Sequence, residues 1–383
     1  MKVLHTSDWH VGRAIRGRSR ADEHVAVLAE IAGIAHDEKV DLVLVVGDLF
    51  DTAAPTADSE RIVFRALLDL AATGASVVVI SGNHDHARRL QAVRPLLELG
   101  RVEARGTFAG PHDGGVVDIV SRDGQERAKV AVLPFLSQRH VVKASELMEL
   151  DAQDHGQMYD QRVRNLLGAL TADFGPETVN LVAAHLSVTG GLLGGGERLA
   201  HTIEQYQVGA TAFGASLQYV ALGHLHRRQH IAGPCPIHYC GSPLQLDFGE
   251  TTDDKAVLLI EARPGMPASV TERRLTAGRR LRTLSGSLTD LAAHAGCIGD
   301  DHLRIVVREA PRPGLGEDVR LLFPDCVDVR VERPDDVIDA AAGPGRSREG
   351  LGPTELFGAY LAQTGASSVD LVALFADLLE EVG

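Results

Sequence analysis

The chain has 383 residues, 44% of them apolar and 23% charged. That mix can build packed cores and excludes wholesale disorder, and at ~150 residues per domain it allows two or three domains. Thirty-eight basic against 52 acidic side chains leave a formal charge of -14, which excludes coating nucleic acid through bulk charge but not local basic patches.

In chain order, the first ~270 residues alternate short β-rich runs with amphipathic helical spacing. The runs fall at residues 2–5, 42–46, 77–80, 129–133, 179–183 and 219–221. Between the first two, Val25, Leu28, Ala32 and Ala35 recur at helical spacing, as do Val27, Ile31 and Ile34. A second helix is predicted over 58–72, with Ile62, Ala66, Leu67 and Leu70 on its apolar face. Strands alternating with helices predict an α/β domain over residues 1–270. Beyond it the texture changes to Pro264, Gly265 and Pro267, then an arginine-rich stretch. A helix near 288–295 and strands at 303–307 and 327–331 predict a small second domain over 271–333. Residues 334–352 read as a Pro/Gly/Ala linker, and 353–383 as two short helices that need a surface to dock on. Residues 191–196, rich in glycine, read as a mobile loop. No run approaches the ~18 residues of a membrane span. The polar Asp8-Trp9-His10 stands where a secretory signal is apolar, so a cytoplasmic location is expected. Cys235, Cys240, Cys297 and Cys326 form no Cys-x-x-Cys pair, which speaks against a disulfide framework or a structural zinc site.

The chemistry sits where the apolar runs stop. They end in Asp8-Trp9-His10, Gly47-Asp48 with Asp51 close behind, Gly82-Asn83-His84-Asp85, His185, and Gly223-His224-Leu225-His226. Each block alone reads as an ordinary polar turn or a packed histidine. Together they are carboxylates, an amide and imidazoles at strand ends, where α/β sheets gather their ligands. Nitrogen and oxygen donors without thiolates suit Mn, Fe or Zn, and the set is too large for one tetrahedral ion. Two ions ~3.5–4 Å apart serve in-line attack on phosphorus. Arg13, Arg16, Arg18 and Arg20 follow the first block, Arg88 and Arg89 the third, and Arg227 and Arg228 the last, as candidate phosphate-backbone contacts. Trp9 reads as a packing residue under the site, since no neighbouring aromatic continues a stacking track.

The ordered texts SDWHVG, VVGDLFD, ISGNHD, YVALGHLHRRQ and HYCGSPLQLDFGE resemble the calcineurin-like metallophosphoesterases, and within them the bacterial Mre11-type nucleases. The resemblance covers residues 1–262 strongly and the C-terminal third in layout only. It implies a β-sandwich flanked by helices, a small α+β capping domain and C-terminal helices. It implies two divalent ions, Mn2+ foremost: one held by Asp8, His10 and His226, the other by Asn83, His185 and His224, with Asp48 bridging. His84 would stabilise the transition state or donate a proton, and the Asp51 carboxylate would hold its tautomer. The implied activity is double-strand exonuclease and single-strand or hairpin endonuclease cleavage in DNA repair and recombination. The implied partners are DNA, a coiled-coil ATPase gripping residues 353–383, and a second copy of the chain, joined through helices such as the one over 58–72. A small-molecule phosphodiesterase and a non-catalytic assembly subunit are the alternatives.

Overall fold

The computed structural model describes residues 1–136, 152–195, 197, 207–296 and 298–332, with Phe357, Leu361, Leu371, Leu374 and Phe375 near the C-terminus. In chain order the elements are β1 (Lys2–Thr6), β2 (Ala14–Ile15), β3 (Arg18–Ser19), α1 (Ala21–Asp37), β4 (Leu42–Val46), α2 (Ala57–Ala72), β5 (Ser76–Ile80), α3 (Ala87–Leu99) and β6 (Val102–Arg105). They continue with β7 (Val116–Val120), β8 (Arg127–Leu133), α4 (Ala152–Thr171), β9 (Val179–His185), β10 (Tyr219–Gly223), β11 (Gln229–Ile231), β12 (Ile237–Tyr239), β13 (Ala256–Arg263) and β14 (Met266–Arg274). Last come β15 (Leu281–Gly286), α5 (Leu288–Ala292), β16 (His302–Arg308), α6 (Leu315–Leu322) and β17 (Asp328–Glu332).

Two six-stranded sheets lie face to face, in the orders β14-β13-β1-β4-β5-β6 and β11-β12-β10-β9-β8-β7. Their central strands are near-continuous apolar runs because both faces are covered. The two-residue period of a strand sorts the side chains. In β4, Leu42, Leu44 and Val46 face the other sheet, where they meet Val130, Leu181, Tyr219 and Ala221. Val43 and Val45 face the opposite way, onto Val27, Ile31, Val63 and Leu67 of α1 and α2. In β9 and β10, Val182, Ala184, Val220 and Leu222 pack under Val163, Leu167 and Leu170 of α4. The layers are therefore helix, sheet, sheet, helix.

The helix expected between the first strands is α1, but it buries Val27, Leu28, Ile31 and Ala35 while Val25 stands 49% exposed. The face is narrower than the spacing predicts. Trp9 is fully buried in the core, its indole N–H donating to Thr6 Oγ1 at 2.9 Å. Residues 281–332 form a parallel sheet, β15-β16-β17, with α5 and α6 and a core of Leu291, Ile305, Val307, Val319 and Phe323. This unit is tied to the sandwich by His302 Nε2–Glu23 Oε1 at 2.7 Å, Arg16–Asp328 at 3.2 Å, and the Arg304 guanidinium 4.1 Å above the Phe248 ring. The expected linker over 334–352 lies outside the described residues, as do Gly196, Cys297 and most of 353–383. Near the C-terminus, the Phe357 and Phe375 rings stack 4.3 Å apart and Leu361 is buried. Cys235, Cys240 and Cys326 are free thiols. No helix among the described residues is long and apolar enough to cross a membrane.

Candidate metal centre

The loops leaving β1, β4, β5, β9 and β10 meet at one edge of the sandwich. Backbone bonds lace the first two together: Asp8 N to Gly47 O, His10 N to Asp48 O and Val11 N to Leu49 O, each 3.0 Å. The approach is close enough to require glycine twice. A Cβ on Gly47, whose φ is +80°, would lie 2.2 Å from His185 Nδ1, and one on Gly82 would lie 2.1 Å from Asp48 Oδ1. Asp8, His10, Asp48 and His224 themselves take positive φ values of 53°, 47°, 51° and 106°. Asp and His tolerate that region better than most residues, yet each such residue costs about 1–3 kcal/mol that the surrounding sheets must offset.

Asp8, His10 and His226 place one donor atom each within 4.8 Å of one another, and so do Asp48, His185 and His224. Asp48 Oδ2 stands between the groups, 3.5 Å from His10 Nε2 and 3.5 Å from His185 Nε2. Asn83 Oδ1 lies 3.0 Å from His185 Nε2 and 2.8 Å from His224 Nδ1. His10 fits a cation most plainly: both ring nitrogens are buried and have no hydrogen-bond partner. An orphaned buried imidazole is costly unless something else satisfies it. Borderline nitrogen and hard oxygen donors, orphaned atoms and glycine-lined close approaches all fit divalent ions, and the cluster is able to hold a dinuclear site.

The protonation pattern follows from burial and mutual charge. Burial raises the Asp8 carboxyl above its ordinary value, against the pull of His185 and His226. Burial also opposes charge on Asp48 and His185, but their mutual attraction outweighs it, lowering the first and raising the second. His10, facing other imidazoles, is pulled down to about 4, chiefly by burial. His185 Nδ1 donates to Val46 O at 2.9 Å, which fixes the ring and turns Nε2 toward the cluster.

The structure corrects two expectations and adds several residues. The Asp51 carboxylate is turned toward Arg13 and His10. His84 Nδ1 instead donates to the Asp51 backbone carbonyl at 2.8 Å. The Asp51 side chain lies 3.1 Å from Arg13 and 3.6 Å from His10 Nδ1, and these two neighbours hold it at about 2 despite burial. The loop geometry after β4 turns the side chain toward the first group of donors. Arg20 is not a phosphate contact: its guanidinium is fully buried, paired with Glu23 at 2.7 Å and donating to the Gln245 and Arg279 carbonyls. Arg16 and Arg18 pair with Asp328 at 3.2 Å and Asp325 at 3.9 Å on the small unit. Arg89 pairs with Glu60 at 2.8 Å, while Arg88 and Arg227 are exposed beside the cluster's loops.

Sequence reasoning missed the carboxylates that hold the loops. Asp85 accepts from Gly82 N at 2.8 Å, Phe50 N at 3.0 Å and Leu49 N at 3.2 Å, clasping two donor loops. Burial and the nearby Asp48 charge raise its carboxyl. Glu250, fully buried, accepts from His226 Nδ1 at 3.3 Å and from Lys255 Nζ at 2.7 Å. Burial opposes its charge, but Lys255 and His226 hold it down at about 2. Glu197 accepts from His226 N at 2.9 Å and from Gly194 N and Gly195 N at 2.8 Å each. Asp85 and Glu250 stand inside the ISGNHD and HYCGSPLQLDFGE blocks, which was a signal of their importance; no spacing rule gave their roles.

A helix-flanked double sheet whose strand ends converge on buried Asp, Asn and His donors defines a metal-dependent phosphoester hydrolase. The chain belongs to the calcineurin-like phosphoesterase family, which matches residues 1–228. It is 34% identical over 285 residues to the SbcD subunit of the nuclease SbcCD of Bacillus subtilis (strain 168), covering 73% of this chain and 71% of that protein. The protein of the same name from Rhodobacter capsulatus is 36% identical over 278 residues (69% and 67%), and that from Escherichia coli (strain K12) 30% over 311 residues (76% and 73%).

Proposed function

We propose that this chain is the nuclease subunit of a two-component DNA-processing enzyme, hydrolysing phosphodiester bonds with a dinuclear metal site and acting with an SbcC-type ATPase. The observation that carries the reading is the Asp48 carboxylate set 3.5 Å from both His10 Nε2 and His185 Nε2, with neither ring nitrogen of His10 in a hydrogen bond. Asp8, His10 and His226 would hold one ion and Asn83, His185 and His224 the other, with Asp48 shared; Mn2+ suits this donor set. When bound, such a pair neutralises phosphoryl oxygens and lowers the pKa of water.

The chain's own groups do the rest. His84 sits over the cluster, its ring 4.6 Å from that of His10. Donation from Nδ1 to the Asp51 carbonyl aims Nε2 away from that carbonyl, where it can donate a proton to a phosphoryl or leaving oxygen. His226, held by Glu250, and His185, held by Val46 O, are kept in fixed orientations, so little reorganisation accompanies substrate binding. Arg13, Arg88, Arg89 and Arg227 supply local positive charge for the phosphate backbone of a chain that is acidic overall. Such contacts position DNA without reading its sequence. Residues 281–332 would cap the site, 353–383 would engage the ATPase, and exposed Leu68, Leu96 and Leu99 on α2 and α3 offer a surface for a second copy.

The test is cleavage of a labelled DNA hairpin in Mn2+, with and without the ATPase and ATP, alongside bis-p-nitrophenyl phosphate. Hairpin cleavage stimulated by the ATPase supports the reading. Turnover of the small diester alone would instead favour a small-molecule phosphodiesterase. His84→Ser should abolish cleavage while leaving metal and DNA binding intact.

A further inference from the structure

Next to the donor cluster, the start of α3, the end of β6, the end of β8 and α4 enclose a pocket of about 550 Å³. Its walls include Phe108, Phe135, Leu136 and Leu166, with Arg88 and Arg162 on its lining. The size lies in the ~300–1,000 Å³ range of small-ligand sites. Its character is unlike that of the cavity beneath the small unit, which is lined by Arg18, Glu23, Arg279, Arg280, Asp301 and His302. Phe135 belongs to both places, the pocket and the metal centre. Its ring lies 6.4 Å from that of His224, nearly parallel at 23°, and 6.3 Å from that of His185, nearly perpendicular at 83°. One aromatic ring therefore separates the pocket from the second group of donors.

We propose that this pocket receives an unpaired nucleobase of the strand being cut, from a nucleotide flanking the scissile phosphate. The proposal rests on the nuclease reading and names the substrate class within it: strands whose base beside the cut is free of its partner. Two arguments lead here. Aromatic and aliphatic walls match the flat apolar faces of a base, and every base has such a face, so the pocket is tolerant of sequence. Arg88, exposed at the start of α3 and on the pocket lining, adds positive charge that suits a neighbouring sugar-phosphate chain. A paired base cannot enter without unstacking, which costs least in loops, frayed ends and mismatches. The pocket thus selects hairpin loops and frayed ends over the interior of a duplex.

The experiment uses the full chain with its ATPase, Mn2+ and ATP on a DNA hairpin in which each nucleotide around the cut is replaced in turn by an abasic tetrahydrofuran residue. The wild type should lose about tenfold in kcat/KM when the abasic residue falls at one flanking position, the effect of one lost base–aromatic stack. Phe108→Leu keeps an apolar side chain in the fold but removes the ring. It should lose a similar factor on the natural hairpin and become indifferent to the abasic residue, while Phe108→Tyr behaves as the wild type. In Ca2+, 2-aminopurine at the same nucleotide should be quenched by the wild type and Phe108→Tyr but not by Phe108→Leu. Equal cleavage of natural and abasic hairpins by both the wild type and Phe108→Leu overturns the pocket while leaving the nuclease reading intact. No cleavage of any DNA by the wild type overturns both.

Discussion

Lys255→Met is the sharpest test of how the site is held. Lys255 Nζ lies 2.7 Å from Glu250 Oε2 and also reaches Ser242 Oγ at 2.9 Å and the His226 carbonyl at 3.2 Å. The Glu250 side chain is fully buried and that of Lys255 is only 9% exposed, so water screens the pair little. Removing the ammonium leaves a buried carboxylate with the Leu246 amide at 3.1 Å, Ser242 at 3.4 Å and His226 Nδ1 at 3.3 Å as its donors. Breaking a buried pair from one side costs about 3–5 kcal/mol. At roughly 2–4 °C per kcal/mol for a domain of this size, the melting temperature should fall by roughly 10 °C. The double variant Glu250→Gln/Lys255→Met removes the stranded charge and should recover most of the loss, a coupling visible in a urea double-mutant cycle. The pH dependence has a definite sign. The folded carboxyl of Glu250 is depressed to about 2, so its contribution is complete above the unfolded carboxylate range and fades as pH falls toward 2. Single and double variants all within about 1 kcal/mol of the wild type would refute this reasoning.

Other outcomes follow from the same geometry. Asp51→Asn should weaken Mn2+ binding, measured by calorimetry, by about tenfold through His10 while leaving kcat at saturating Mn2+ within a few-fold; a collapsed kcat at unchanged affinity would restore the carboxylate to His84. Glu23→Gln removes the charge and one of the two acceptor oxygens that serve Arg20, His302 and the Arg279 amide, and should cost about 2 kcal/mol at pH 7 in urea unfolding. His302 and Arg20 outweigh burial and hold the Glu23 carboxyl well below the usual range, so the gap between wild type and variant should narrow as pH falls below about 4. Mn2+ at ~100 times its dissociation constant should raise stability by about 2.7 kcal/mol per site, and His10→Ala should lose part of that gain in a thermal-shift titration. His5 is buried neutral, its ring pulled down to about 3 chiefly by burial while it bonds Tyr219 and Leu222 O. Folding must therefore lose stability as pH drops from about 6.5 toward 3, since only the unfolded chain takes up that proton, and His5→Gln should flatten the slope.

The clustering of these residues was legible because they stand directly after apolar runs, and a strand that stops at Val46 or Ala184 is visible without coordinates. The supporting residues were harder to read for a physical reason. Asp85, Glu197 and Glu250 act on backbone amides and on side chains far away in the chain, as in the contact between His226 and Glu250, and such contacts leave no period. Asp51 stood in the right block, but which of its groups meets His84 depends on a turn that residue types do not encode. Arg20 looked like its neighbours Arg16 and Arg18, yet the start of α1 carries it into the interior beneath Gln245. α3 went unpredicted because Leu96 and Leu99 stand exposed on it and Pro95 interrupts its pattern.

Asp8, His10, Asp48 and Asn83 extend from the strands of one sheet, and His185, His224 and His226 from those of the other. Divalent ions held among them would work as rivets through the seam between the sheets. A partly folded chain with a single sheet in place would own only four or three of the seven donors and could not complete the cluster. Catalytic competence therefore arrives only with the finished fold, when both sheets have brought their donors to the same edge.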